Sequence, residues 1–249
     1  MLARKPLILL CGIVFCVGLA VSQGQPAAKP LSGDDIVTRL LDSNARRAES
    51  LRAYQGIRVY EVDYKGFPTG HKHAQMTVRA EFHYPHQKTI TIVSESGSKT
   101  LLNHVLHRLI AVEQETSSEK EHSGAEMNRT NYRFEYLGVD RSPGRDCYLL
   151  RVIPARDDKL LYDGKIWVDA TDFAIVKIEA QPAKSPSFWI SQTQIEHQYG
   201  KVGNFWLPFR NRSTSRVRMG GQASLSIEYQ DYEITAEQQS QLVQVLGGE

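Results

Sequence analysis

From His73 to Tyr84 the chain alternates without a break. Ala74, Met76, Val78, Ala80, Phe82 and Tyr84 fall on one side; His73, Gln75, Thr77, Arg79, Glu81 and His83 fall on the other. A period of two sustained this long predicts an extended strand, because a helix would scatter both sets around its axis. A long strand with one apolar and one wet face belongs to an antiparallel sheet. Similar but less regular patterns recur at Tyr54–Tyr64, Lys88–Ser94, Tyr132–Val139, Asp146–Pro154, Leu160–Asp169, Phe173–Ala180, Ser187–Tyr199, Phe205–Met219 and Ala223–Tyr232. In Gly164–Pro182 two such runs flank Asp169-Ala170-Thr171-Asp172, whose side chains can bond their own backbone in a tight turn. Neither face of that hairpin is wholly polar, so it should have neighbours on both sides of the sheet.

Two segments break the strand pattern. Ser32 can cap a helix with Asp34 and Asp35 in its first turn, and Ile36, Leu40, Leu41, Ala45, Ala48 and Leu51 recur at helical spacing. From Lys99 to Glu115, Leu101, Leu102, Val105, Leu106, Leu109, Ile110 and Val112 form a second apolar stripe, and a polar run from Glu113 to Asn128 follows it. The expected fold is mainly β with added helices (α+β). About ten antiparallel strands joined by short hairpins curl into an unclosed half-barrel, and the two helices lay their stripes over its open side.

The first 22 residues read as a signal peptide. Arg4 and Lys5 precede an apolar run from Leu7 to Val21, too short for a comfortable membrane span, and Ala20-Val21-Ser22 offers small residues for cleavage near Gln23. Residues 23–31 read as a flexible start to the mature chain, and residues 32–249 as a single domain. The leader takes two of the 30 basic residues and none of the 28 acidic ones, so the mature chain is balanced in charge. That leaves no electrostatic footprint for nucleic acid. Cys147 remains as the sole cysteine of the mature chain, so stability must come from a core rather than from an internal disulfide.

The exported start, the leading amphipathic helix, the meandering strands and the runs Gly164-Lys165-Ile166-Trp167-Val168-Asp169, Phe173-Ala174-Ile175-Val176-Lys177-Ile178 and Asn204-Phe205-Trp206-Leu207-Pro208 carry a resemblance. Together they resemble the outer-membrane lipoprotein-sorting (LolA/LolB-like) superfamily of bacterial envelope proteins. The resemblance implies a periplasmic, non-enzymatic protein that holds the acyl chain of a lipid or lipoprotein in an apolar half-barrel cavity beneath a helical lid. It implies as the alternative an envelope sensor or scaffold of the same fold whose partner is an envelope membrane protein. No residue is carried over as the arginine that gates release in the well-studied carrier.

The residues expected to wall such a cavity are Leu102, Val105, Leu106 and Leu109 of the helix and Met76, Val78 and Phe82 of the long strand. No nucleophile elbow, paired-carboxylate arrangement, zinc-protease helix or phosphate loop is present, so no catalytic residue and no cofactor is expected. His71 and His73 can share a strand face, and His104 and His107 a helix face, but no further ligands follow at recognised spacing, and no metal is expected.

Overall fold

The computed structural model describes residues 31–67, 70–85, 87–115, 124–142, 144–185, 190–218 and 220–236. The leader, residues 23–30, residues 116–123 of the polar run, Phe188, Trp189, Met219 and the tail beyond Ala236 lie outside them. All but Leu31 of the described residues belong to one compact unit, Ser32–Glu249.

Helix α1 (Gly33–Ser50) starts on a capping box: Asp35 N–H donates to Ser32 Oγ, while Ser32 N–H donates back to the Asp35 carboxylate. The chain then makes strands β1 (Leu51–Gly66), β2 (Gly70–His83) and β3 (Gln87–Gly97). A second helical segment follows in three contiguous pieces: α2 (Lys99–Leu101), a π-helical turn (Leu102–Leu106) and α3 (His107–Glu115). Strands β4 (Tyr132–Arg141), β5 (Asp146–Pro154), β6 (Tyr162–Asp169), β7 (Ile175–Pro182), β8 (Ile190–Val202), β9 (Phe205–Val217) and β10 (Gln222–Ala236) complete the described chain.

The strands form one sheet in the order β3-β2-β1-β10-β9-β8-β7-β6-β5-β4, every neighbouring pair antiparallel. Eight of the nine pairings therefore join strands consecutive in sequence, the simple meander expected of short hairpins. The departure is that β1 pairs with β10, which joins the first three strands to the last seven. Strands β3 and β4 end the order, so the sheet does not close.

Register defines the two faces. One row runs Glu95, Met76, Tyr60, Ile227, Asn211, His197, Ile178, Ile166, Leu150, Tyr136 across all ten strands. Both helical segments lie on the face this row marks, here called inner. The second segment packs Leu102, Leu106 and Ile110 into one cluster with Tyr60, Met76 and Val78. At the other end of the row α1 comes so close to Tyr136 that a Cβ on Gly33 would lie 2.7 Å from the tyrosine Cβ. Ala74, Met76, Val78 and Ala80 are all buried, so the alternation in β2 points as expected.

The hairpin of β6 and β7 does have neighbours on both faces. Asp169 caps its turn by accepting from the Thr171 and Asp172 amides, at 2.9 and 2.8 Å. On the outer face Trp167 packs with Cys147, Val176, Leu149 and Trp206. The sequence pattern placed Val176 on the side of Ile178 and Ala180. Instead a bulge pairs Lys177 with Trp167 and Ile175 with Val168, leaving Val176 as the extra residue, and it turns to the tryptophan side.

Candidate ligand-binding site

The stripe of the second segment repeats every four residues: Leu102, Leu106 and Ile110, with Leu101, Val105 and Leu109 beside them. In an α-helix a four-residue repeat drifts by about 40° per step. The π turn corrects this. His107 N–H bonds Leu102 O, five residues back, and the wider turn keeps the repeat on one face. The segment leaves β3 through Gly97, whose φ of 95° and contact with His73 O, 2.4 Å from where a Cβ would sit, exclude any side chain.

Six of the seven residues expected to wall a cavity come together here. Met76, Val78, Leu102 and Leu106 are buried in one cluster, and Val105 and Leu109 pack against it. In this structure they touch one another, stripe against floor. Phe82 shares their face of β2 but sits further along, half-buried and stacked on Tyr54 with ring centroids 5.3 Å apart.

At that end of the apolar cluster lies a charged group that sequence reading missed. Glu113, in the last turns of α3, accepts from Arg58 Nη1 and Lys88 Nζ, both at 2.8 Å, and from the Tyr60 hydroxyl at 3.2 Å. Arg58 is 6% exposed and its guanidinium lies 5.3 Å over the Tyr229 ring. Gln114 adds a bond to Ile90 O at 3.1 Å. Burial pushes the Glu113 carboxyl up, but the charges of Lys88 and Arg58 and the bonds from Lys88 and Tyr60 outweigh it, so its pKa lies below the usual carboxylate value. Arg58 was legible in principle. It stands on β1 between Tyr54 and Tyr60, at inward positions two and four residues away, where a charge needs a partner.

Between the two helical covers the inner face of β8 and β9 is half-buried and mixed in character, with Thr193, Ile195, His197, Asn211 and Ser213. Burial lowers the His197 pKa to about 4, so this ring is neutral at pH 7, and it meets the Tyr162 ring edge-on. Asn211 donates to the Tyr229 hydroxyl at 2.9 Å, while its Oδ1 is buried without a partner. The paired histidines serve elsewhere: His71 and His73 both bond Asp63 on the outer face, and His107 pairs with Glu95.

A family described as one of unknown function, DUF5686, matches residues 125–231, which span β4 to most of β10. No curated protein matches the chain. Among solved structures the chain is similar to an outer membrane lipoprotein-sorting protein domain from Vibrio parahaemolyticus, at 16% identity over 82% of this chain and 94% of that one, with a TM-score of 0.41. It is also similar to a LolA superfamily protein from Nitrosomonas europaea, at 11% identity over 83% and 94%, with a TM-score of 0.37. A DUF1329 family protein from Desulfovibrio piger matches at 10% identity over 81% and 92%, with a TM-score of 0.40. The first two carry descriptions from the superfamily that the sequence resembles.

Proposed function

We propose that this protein is a non-enzymatic periplasmic carrier that holds the acyl chain of a lipid or lipoprotein between the inner face of β1–β3 and the second helical segment. One observation carries the reading. The apolar floor of an unclosed sheet is covered by a single helical segment that is tethered by a sharp glycine exit at one end and a charged cluster at the other. Lifting the segment would uncover Met76 and Val78 and would hydrate Arg58, Lys88 and Glu113 rather than strand them. An acyl chain entering there gains about 0.8 kcal/mol for each methylene it buries, which offsets the helix contacts it displaces.

The test is binding of a fluorescent fatty acid. Leu106→Glu places a charge in the middle of the stripe and should abolish binding, with folding checked by circular dichroism. His107→Ala, on the half-exposed side, should leave it intact. A folded Leu106→Glu protein that binds as wild type removes the segment from the cavity wall and the carrier reading with it. The second reading, a sensor or scaffold that binds an envelope protein, draws on edge strand β4, where Leu137 and Val139 are 49% and 68% exposed. Lipid retained by the purified protein favours the carrier.

A further inference from the structure

The turns joining β1 to β2 and β9 to β10 meet at one end of the sheet. The Tyr64 hydroxyl lies 3.0 Å from Phe67 O and 2.9 Å from Gly220 O, and a Cβ on Gly66 would sit 2.5 Å from Gly221 Cα. At this junction Phe67 is 80% exposed, more than any other large apolar residue described. Beside it lies an open concavity of about 800 Å³ lined by Lys65, Ser191, Arg216, Arg218 and Gln222, with no acidic side chain among its lining residues. Register sets the spacing of the cations: Lys65 pairs with Gln222, and Gln222 with Arg216, so two basic residues on the outer face are two strands apart, about 10 Å. The nearest acid on that face in β1, Asp63, is taken up by His71 and His73.

We infer that this end of the sheet is a docking surface for an anionic lipid bilayer, with Phe67 entering the headgroup boundary and Lys65 and Arg216 facing lipid phosphates. The chemistry fits a surface better than a small anion. Spaced cations around an open concavity present a broad positive field, whereas a soluble phosphate needs converging donors. An exposed aromatic beside them gains nothing from a dissolved ion but gains burial in a membrane interface. The inference does not depend on acyl cargo.

Protein purified from the cell envelope should co-sediment with vesicles of phosphatidylcholine and phosphatidylglycerol but not with phosphatidylcholine alone, and salt should release it. Each cation near an anionic surface is worth about fivefold in partitioning, so Lys65→Gln with Arg216→Gln should lower binding on the order of 25-fold. Phe67→Ser should weaken binding while preserving its salt dependence. Arg212→Gln, a basic residue on the same face away from the concavity, should change little. Circular dichroism should be unchanged in all of them, because every substituted side chain is exposed. The inference is overturned if the double variant binds like wild type, if Arg212→Gln loses as much, or if neutral vesicles bind equally. Displacement by inorganic phosphate at constant ionic strength would also overturn it, by identifying a small-anion site. Loss of vesicle binding with fatty-acid binding intact would separate this surface from the proposed cargo site.

Discussion

The two covers of the inner face are attached in different ways. Helix α1 buries Ile36, Val37 and Leu40 and is fixed by Arg47, which donates to the Asp172 and Phe173 carbonyls at 3.0 Å each. Arg39 lies 5.3 Å over the Phe173 ring, and Arg129 reaches Asp34 and Thr38. Its polar partners are mostly neutral main-chain groups at a turn. The second segment buries a longer stripe and makes its main polar attachment through Glu113, whose partners are two cations and the Tyr60 hydroxyl. Water readily replaces a guanidinium at a carbonyl. A lone charge left under a closed helix has no such replacement. The second cover therefore resists loss of one partner more than it resists lifting as a whole, which suits a lid, whereas α1 is fastened to a fixed point of the frame.

The largest expected effect breaks this comparison at the charged cluster. Glu113→Ala leaves Arg58 and Lys88 facing each other without a counter-ion and should cost about 3–5 kcal/mol in urea denaturation. A cost below that of a surface substitution would show that the cluster opens freely in the folded protein. Arg47→Ala comes next. Loss of charge-assisted bonds to two carbonyls should cost about 1.5–3 kcal/mol, and fatty-acid binding should survive it, because α1 is not the proposed lid. The smallest effect sharpens the assignment. The Glu113 pKa is lowered in the folded state, so its contribution is fully present above the ordinary carboxylate pKa and is lost as pH falls through the lower folded value. The stability difference between wild type and Glu113→Gln should accordingly narrow on acidification below the usual carboxylate range. An unchanged gap there would mean that the carboxylate is not what holds the helix.

The elements were legible because their signals are local. Ser32 announced α1, and the alternation of Ala74, Met76, Val78 and Ala80 announced β2 and its buried side. The pairing of β1 with β10 was not legible, since a period of two fixes which face a residue takes and says nothing about which strand lies alongside. The apolar part of the candidate site followed from the stripe. Its charged part did not: Glu113 opens a polar run that reads as loop, and only the fold sets it beside Arg58 and Lys88, 55 and 25 residues away. Val176 shows the limit of periodicity within an element, for one inserted residue reverses its side.

The pairing of β1 with β10 also bears on how the molecule is made. Hairpins β1–β3 and the meander β4–β10 each need only neighbours in sequence, but joining them brings together residues such as Gln55 and Glu233, 178 apart. The entropy of closing that span must be met before any bond of the seam repays it, which makes the seam the slow event in assembly. Until β10 has emerged, β1 is an exposed edge with the apolar row of Tyr60 and Val62 beside it. An unpaired edge beside an apolar row is a template for pairing with another chain, so β1 is the strand that most needs shielding before the fold is complete.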